Sequence, residues 1–140
     1  MELVQALDFI KDRKDGVLTT QKRDGRPQLS NITYGLGDDG IIRISVTAGR
    51  VKAKNLARDP RASLHVTRDD FYAYAVLECG AELTPAAQSV DDPTVDALVD
   101  FYRIVRGGHD DWDEYRRSMV TDGRLLLLLT PTHAYGMLGA

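Results

Sequence analysis

Cysteine and histidine are scarce in this sequence, which limits metal and disulfide chemistry. The 140 residues include one cysteine and three histidines. A lone cysteine excludes a disulfide within the chain. Because Cys79 lies in an apolar segment without a nearby histidine, we interpret it as a buried small side chain rather than a catalytic thiol. His65 has no cysteine, second histidine or carboxylate at ligand spacing, so we interpret it as a strand residue and predict no metal site.

Long apolar runs, a secretory leader and an excess of positive charge are also missing. The longest apolar run, 125–129, is too short to cross a bilayer, and the chain start lacks the basic and apolar regions of a signal peptide. The net charge of −3 and the isoelectric point of about 5.5 argue against nucleic acid or an acidic membrane as a partner. We therefore expect a cytoplasmic protein, folded as a single domain over residues 1–140.

Recognisable catalytic motifs are absent as well. The chain has no Gly-x-Ser-x-Gly elbow and no glycine fingerprint of a Rossmann fold. Its clustered acids, within 91–92 and 110–113, are better explained as helix starts than as a general acid and base. No catalytic residue is identified, and the pattern favours a protein whose chemistry is supplied by a bound cofactor.

Alternating apolar and polar residues predict a mainly antiparallel β fold. Asp24-Gly25 favours a tight hairpin turn, and a second turn is predicted at 35–40. Two hairpins in succession predict a meander, and the leucines of 125–129 predict a strand buried on both faces. Strands are predicted at 17–20, 27–34, 42–47, 62–67, 71–83 and 125–129, with 134–137 as a continuation of the last.

Helices are predicted at the start of the chain, after the third strand, and as a pair before the last strand. The second of these ends at Pro60, because the residue before a proline is pushed out of the helical region. Asp92-Pro93 is a strong helix start, and Gly107 stops the helix that follows. A further helix ends near Gly123, so the pair is an insertion at about 92–122. This order predicts a small antiparallel barrel with helices packed on its flanks.

Three cations mark the start of the second helix. Arg50, Lys52 and Lys54 follow the strand 42–47 directly. Helix starts carry free backbone donors and a partial positive charge, so cations there oppose the helix dipole unless an anion binds nearby. Two interpretations remain: a phosphate or polyanion site, or a solvated basic turn, since a glycine-rich phosphate cradle is missing.

Neutral polar and aromatic side chains on two strands suggest further contacts to a ligand. Gln28, Ser30 and Asn31 lie on the strand 27–34, where amides and hydroxyls either contact a cofactor ring and ribityl chain or are ordinary edge-strand residues. Tyr72 and Tyr74 alternate within 71–83. Such tyrosines serve as core or interface packing, or as stacking partners of a planar ligand.

Several stretches, in order along nearly the whole chain, resemble the actinobacterial F420-dependent (deazaflavin) oxidoreductases of class B. That group belongs to the split β-barrel superfamily that includes the pyridoxamine 5'-phosphate oxidases. The stretches that carry the resemblance are Gly16-Val17-Leu18-Thr19-Thr20, Asp24-Gly25-Arg26-Pro27-Gln28-Leu29-Ser30-Asn31, Arg50-x-Lys52-x-Lys54-Asn55-Leu56, Asp59-Pro60-Arg61-Ala62-Ser63, Thr121-Asp122-Gly123-Arg124 and His133-x-Tyr135-Gly136.

The resemblance implies a homodimer with two cofactor sites in grooves between the subunits. Arg50 and Lys52 would hold the cofactor phosphate, with Lys54 and Asn55 supporting it or an acidic tail. The other implied cofactor contacts are Gln28, Ser30 and Asn31 along the ring and ribityl chain, Thr47 at the end of its strand, and Tyr72 or Tyr74 closing the pocket.

The implied activity is hydride transfer from reduced coenzyme F420 to a small unsaturated or quinone-like molecule. Flavin mononucleotide is the alternative cofactor, and a carrier that binds F420 without turnover is the alternative function. One departure matters: the oxidases end in an Arg-x-His that grips their substrate, whereas this chain has Thr132-His133-Ala134. Oxidation of pyridoxamine phosphate is therefore not expected.

Overall fold

Seven antiparallel strands form a single curled sheet in the computed structural model, which describes residues 1–139. The order across the sheet is β2-β1-β5-β6-β7-β4-β3. The helices of the described chain are α1 (Leu3–Ile10), α2 (Val51–Arg58), α3 (Pro93–Arg106) and α4 (Trp112–Thr121). The strands are β1 (Asp15–Gln21), β2 (Pro27–Thr33), β3 (Gly35–Leu36), β4 (Ile42–Thr47), β5 (Arg61–Thr67), β6 (Tyr74–Leu83) and β7 (Arg124–Met137).

The segment 27–36 closes the sheet into a split barrel. Strands β2 and β3 lie at opposite ends of the sheet order, yet Tyr34 alone separates them along the chain. Tyr34 is buried, and its hydroxyl donates a 2.7 Å hydrogen bond to the carbonyl of Ile10 at the end of α1. Burial raises the pKa of Tyr34, so the hydroxyl stays protonated and keeps this bond. The bend at Tyr34 therefore joins both sheet ends and fixes α1 against the barrel.

Strand alternation fills the barrel, and β7 serves two hydrophobic cores. Ile42, Ile44 and Val46 point inward from β4, as the alternating sequence predicts. On β7, Leu125, Leu127 and Leu129 face the barrel core. The residue between them, Leu126, packs into a second core with α3 and α4. The prediction of a strand buried on both faces is confirmed.

The helical pair begins and ends where its capping residues indicate. The Asp92 carboxylate accepts a 2.8 Å hydrogen bond from the Val95 amide, and Pro93 occupies the first helical position. Gly107 ends α3 with a φ of 81°, a conformation that glycine adopts without strain. Along the chain, both helices come between β6 and β7. They pack against Leu126 of β7 and so cover one outer side of the barrel.

The predicted meander is wrong. β1 has β2 and β5 as neighbours, and β4 has β7 and the two-residue β3. Gly35 and Leu36, which were expected in a turn, form β3. Hairpin chemistry fixes local pairing but not the distant partner of each strand, and here β1 and β4 pair with β5 and β7, which come later in the chain.

The predicted strand 71–83 begins later, at Tyr74. Phe71 has a φ of 71°, and the Asp70 carboxylate accepts a 3.0 Å hydrogen bond from the Tyr72 amide, which extends the turn. Tyr72 is therefore exposed outside the strand and does not share a strand face with Tyr74. On the neighbouring strand, β7 continues to Met137, which pairs with Tyr74 and confirms 134–137 as the continuation of β7.

Three further findings concern the residues that the structure describes. Cys79 is buried, and burial raises its pKa to about 12, which fits a packing role rather than a reactive thiol. Within residues 1–139, histidine, cysteine and carboxylate side chains form no group that could hold a metal ion. None of the helices in that range has the length and apolar character needed to span a bilayer.

Candidate functional site

A cavity of about 600 Å³, here called the cationic cavity, lies on the outside of the barrel at the start of α2. Asn31 and Thr33 of β2 line one side, and Ser45 and Thr47 of β4 line another. The helical pair closes the opposite wall with Phe101, Tyr102, Val105, Arg106, Tyr115 and Met119. The cavity therefore lies between the outward faces of two strands and the two inserted helices.

Four cations line this cavity: Arg50, Lys52, Arg124 and, from the helical pair, Arg106. None of the four forms an ion pair among the described residues. The pKa of Lys52 is lowered, first by its partial burial and then by the charges of Arg50 and Arg124. Arg50 and Arg124 are therefore close enough to Lys52 to repel its charge, and within residues 1–139 the cavity lining contains no carboxylate. Such a cluster of positive charges is the electrostatic arrangement of an anion site.

The start of α2 adds backbone donors to the same place. The capping residue before the helix, Arg50, makes no side-chain capping bond, and the first turn contains no acid. The free N–H groups of a helix start attract anions, and an uncapped start leaves them available. The conflict between cations and helix dipole that the sequence suggested is therefore present in the fold.

Arg124 reaches the cavity from β7. It pairs in register with Thr47, the last residue of β4. Its Nη1 lies 3.4 Å from the carbonyl oxygen and 3.5 Å from the Oγ of Ser45, both long for hydrogen bonds. Its Nε is buried and has no hydrogen-bond partner within the described chain. The guanidinium is thus only weakly satisfied by the protein itself.

A second cavity, of about 690 Å³, adjoins the cationic cavity across β2. Both are lined by Asn31, Ile32 and Thr33. The second is completed by Asp15, Gly16, Val17, His65, Thr67 and Phe71. We call the two cavities together the β2 groove. One end of the groove carries four cations, and the other is mostly apolar with an exposed aromatic ring.

The apolar end of the β2 groove continues onto an exposed sheet face. Cross-strand pairing places Asn31, Val17, His65, Val76 and Tyr135 in one row across five strands. Paired residues share a face of the sheet, so this row points outward together. Nearby Leu29, Phe71, Tyr135 and Met137 are exposed although they are apolar or aromatic.

Four of the predicted site residues line the cationic cavity: Asn31, Thr47, Arg50 and Lys52. Two others on β2 lie on the opposite strand face, since Gln28 pairs with Thr20 and Ser30 pairs with Leu18, both buried. Tyr74 is half-buried, with its ring centroid 5.4 Å from that of His65.

Lys54 and Asn55 do not line the cationic cavity. Lys54 is exposed on α2 and does not line it. Asn55 is buried under the helix, where its amide donates a 3.1 Å hydrogen bond to the Thr20 hydroxyl and its oxygen accepts from Arg58 at 3.2 Å. These bonds attach α2 to β1.

Sequence reasoning missed Arg124, Ser45, His65 and Phe71 as groove residues. Arg124 and Ser45 are 79 residues apart and meet only through the pairing of β4 with β7, which no local pattern reports. His65 was assigned to its strand correctly, but the neighbouring cavity depends on the register between β1 and β5. Phe71 gave a strand signal, whereas its turn holds it at the groove.

The groove fits a ligand that carries both a phosphate and a planar ring. Unpaired cations and an uncapped helix start suit the phosphate. Neutral Asn31 and Thr33 lie midway, and Val17 with Phe71 offers apolar contact to a ring. Flavin mononucleotide and the deazaflavin F420 both have this division of chemistry.

Three solved structures share the fold at low identity. A conserved hypothetical protein of Mycobacterium tuberculosis is 24% identical, with a TM-score of 0.75 over 98% of this chain and 84% of that chain. An F420 reductase is 21% identical, with a TM-score of 0.68 over 91% of this chain and 94% of that one. The heme storage protein of Vibrio cholerae is 16% identical, with a TM-score of 0.70 over 98% and 96% of the two chains.

The sequence itself identifies the family. Residues 4–137 match the pyridoxamine 5'-phosphate oxidase family, so the match spans every strand and helix from α1 to β7 apart from Leu3. The seven-stranded split barrel and its flanking helices are the fold expected from that match. The chain therefore belongs to the pyridoxamine 5'-phosphate oxidase family.

Proposed function

We propose that this protein is an F420-dependent oxidoreductase that holds its cofactor along the β2 groove. The observation that carries the proposal is the division of the groove into a cationic end, with Arg50 and Lys52, and an apolar end, with Val17 and Phe71. A ligand with an anionic chain and a planar ring satisfies both ends at once. Reduced F420, when bound, would supply a hydride to a small unsaturated or quinone-like substrate.

The residues of this chain would bind and orient rather than transfer protons. Arg50 and Lys52 hold the phosphate, while Asn31 and Thr47 donate or accept hydrogen bonds without adding charge. The apolar end excludes water from the cofactor ring, and the helical pair restricts the path by which the substrate enters the cavity. Lys54, which is exposed, is proposed to meet the acidic tail of F420 outside the cavity.

F420 is preferred over flavin mononucleotide because its phosphate and glutamate tail together carry more negative charge. The fold is shared with an F420 reductase, which supports the choice. Flavin mononucleotide remains the alternative, since the same cations suit its phosphate. Pyridoxamine phosphate is not proposed as substrate because the segment Thr132-His133-Ala134 of β7 lacks the arginine that the oxidases use there.

We also propose that the protein is a homodimer whose subunits meet at the exposed sheet face. The outward row from Asn31 to Tyr135, with exposed Leu29 and Met137, offers apolar area that a second copy would cover. The apolar end of the β2 groove opens onto this face, so a partner would complete its wall. Sedimentation velocity should give twice the mass of one chain, and replacing Leu29 with glutamate should shift the protein to monomers. A monomeric wild type would refute this arrangement.

A carrier that holds the cofactor without turnover is the second candidate function. No general acid and base pair faces the cationic cavity among the described residues. The fold is also shared with a heme storage protein. Binding of F420 without reduction of any quinone or unsaturated compound in a broad panel would favour the carrier.

Parallel titration with F420 and flavin mononucleotide tests the proposal before any substrate is chosen. Purified protein is titrated with each cofactor by fluorescence at two salt concentrations, and its absorbance is recorded first, because copurified flavin is yellow. We expect saturable binding of F420 that is tighter than that of flavin mononucleotide and weakens at the higher salt. Tighter flavin binding would select the alternative cofactor, and no binding of either would refute the function.

A further inference from the structure

We infer that His65 is a general acid, which donates the proton that an unsaturated carbonyl substrate needs once it has accepted a hydride. The inference rests on the proposed function, because it takes the β2 groove as the site of the cofactor. His65 is the exception to the binding and orienting roles of the other groove residues.

His65 lies at the ring-binding end of the β2 groove. Its side chain is half-buried on the outward face of β5, in register with Val17 of β1 and Val76 of β6. It lines the second cavity of the groove, and with Tyr135 it also lines a third cavity, of about 440 Å³, on the exposed sheet face. From Asn31, which both groove cavities share, the row reaches His65 across two strand spacings, or roughly 10 Å. A ribityl chain can bridge that span, so a phosphate in the cationic cavity leaves the ring beside His65.

The imidazole of His65 is free to interact with a ligand. Within residues 1–139, the histidine ring that takes part in a hydrogen bond is that of His109, and no carboxylate forms an ion pair with His65. The neighbouring Thr67 hydroxyl donates instead to the Ala73 carbonyl at 3.1 Å. The ring of Tyr74 packs beside the imidazole, with the centroids 5.4 Å apart, and limits its rotation. Both nitrogens of a laterally supported imidazole are therefore left for a molecule in the groove.

Reduction of an unsaturated carbonyl compound consumes a proton as well as a hydride. With reduced F420 as the hydride donor, a C–H bond forms at the β-carbon of the substrate, its C=C π bond breaks, and an electron pair moves to the carbonyl oxygen. The deazaflavin is oxidised by two electrons, and the substrate becomes an enolate. The imidazolium N–H of His65 then breaks as its proton passes to the enolate, and water reprotonates the imidazole. Histidine suits this step because its charge changes in the neutral pH range.

The other titratable side chains that face His65 are of types less suited to this step. They are Asp15 on β1, Tyr74 and Glu78 on β6, and Tyr135 on β7. Aspartate and glutamate are ordinarily ionised at neutral pH and have no proton to give, and tyrosine ordinarily holds its proton to about pH 10. The outward residues of β2 near His65 are leucine, asparagine and threonine, which do not titrate.

The test compares two hydride acceptors on protein loaded with reduced F420. Cyclohexenone needs a proton after the hydride, whereas the cationic dye methylene blue becomes its neutral leuco form by accepting a hydride alone. His65→Gln removes the titrating group but keeps a polar side chain. His133→Gln is the matched control, because His133 is exposed on the same sheet face and lines neither cavity of the β2 groove.

For His65→Gln we expect cyclohexenone reduction to fall about a hundredfold or more. Methylene blue reduction and F420 affinity should stay close to those of the wild type. In the wild type and in His133→Gln, the cyclohexenone rate should fall as pH rises through the neutral range, because the acid must carry its proton, and His65→Gln should lack this dependence. Equal losses with both acceptors would overturn the inference, since they would indicate a contact to the cofactor. A wild-type rate and pH profile in His65→Gln would also overturn it.

A binding measurement supplies a readout without turnover and without the His65 variant. The chain has three histidines, so the imidazole C2 proton of His65 gives the NMR signal retained in both His109→Gln and His133→Gln. The probe is 4-nitrophenol, whose phenolate oxygen resembles that of the enolate, added to protein that holds oxidised F420. We expect the His65 signal to shift and the His133 signal to stay. An unshifted His65 signal would overturn the inference, even if His65→Gln fails to fold.

These measurements separate failure of the inference from failure of the proposed function. A wild type with no affinity for F420 or flavin mononucleotide would refute both. Cofactor binding without reduction of either acceptor would overturn the general acid and favour the carrier. Turnover of cyclohexenone that does not depend on His65 would overturn the inference alone and leave the F420-dependent reductase intact.

Discussion

Replacing Lys52 with alanine tests the cationic end of the β2 groove most directly. Lys52 is half-buried in the cavity lining, and burial together with Arg50 and Arg124 already destabilises its charged form, which lowers its pKa. A charge-assisted hydrogen bond contributes roughly 1.5–3 kcal/mol to binding, or about ten- to a hundredfold in affinity. Because Lys52 is only partly buried and water screens its charge, we expect a loss near the lower end, about tenfold.

The assay is a fluorescence titration of F420 and of flavin mononucleotide at fixed salt. Lys22→Ala, in the exposed turn between β1 and β2, removes the same charge far from the groove and should bind within about twofold of the wild type, because salt screens distant charges. Lys54→Ala distinguishes contact with the phosphate from contact with the acidic tail of F420. A loss of affinity for F420 but not for flavin mononucleotide would support contact between Lys54 and the tail. Wild-type affinity for both cofactors in Lys52→Ala would show that this lysine does not contact the ligand.

Two further predictions follow from pKa and backbone geometry. The affinity for the anionic cofactor should fall at alkaline pH, because deprotonation removes the positive charge of Lys52. Since the pKa of Lys52 is lowered, this fall should begin below the ordinary lysine pKa of 10.5. Titrations across a pH series check this, and in Lys52→Arg the fall should move to higher pH. Gly136→Ala should lower the free energy of unfolding by about 1–3 kcal/mol in a denaturant titration, because Gly136 has a φ of 144° and an added Cβ would meet the Tyr74 carbonyl oxygen. Gly80→Ala on the neighbouring β6, with open space around its Cα, should have little effect, and equal losses in the two variants would contradict the geometric reason.

Local chemistry predicted the elements and part of the site. The alternation of β4, the break at Pro60 and the capping by Asp92 and Gly107 all act over a few residues, and each is present in the fold. The position of Arg50 was predictable for the same reason. Arg50 directly precedes α2, so predicting the start of the helix also placed Arg50 at that start, which is where the cavity lies.

Contacts between distant segments were beyond local patterns. The meander prediction failed because β1 pairs with β5 and β4 pairs with β7, and both pairings join segments that are distant in sequence. Arg124 enters the groove for the same reason. Asn55 was expected to support the cofactor phosphate or an acidic tail, yet the helix rotation that brings Lys52 to the cavity turns Asn55 under α2 toward Thr20.

Strand β7 makes the groove a stiff structure. Leu126 belongs to the core under the helices, and Leu127 belongs to the barrel core, so one backbone segment carries both. β7 is also hydrogen-bonded on both sides, to β4 and β6. Moving the helices away from the barrel would break their contacts with Leu126, which is held in place by a strand paired on both sides, and the loss of this packing would cost free energy. A ligand therefore meets walls already held at their working separation and loses little of its affinity to rearranging them.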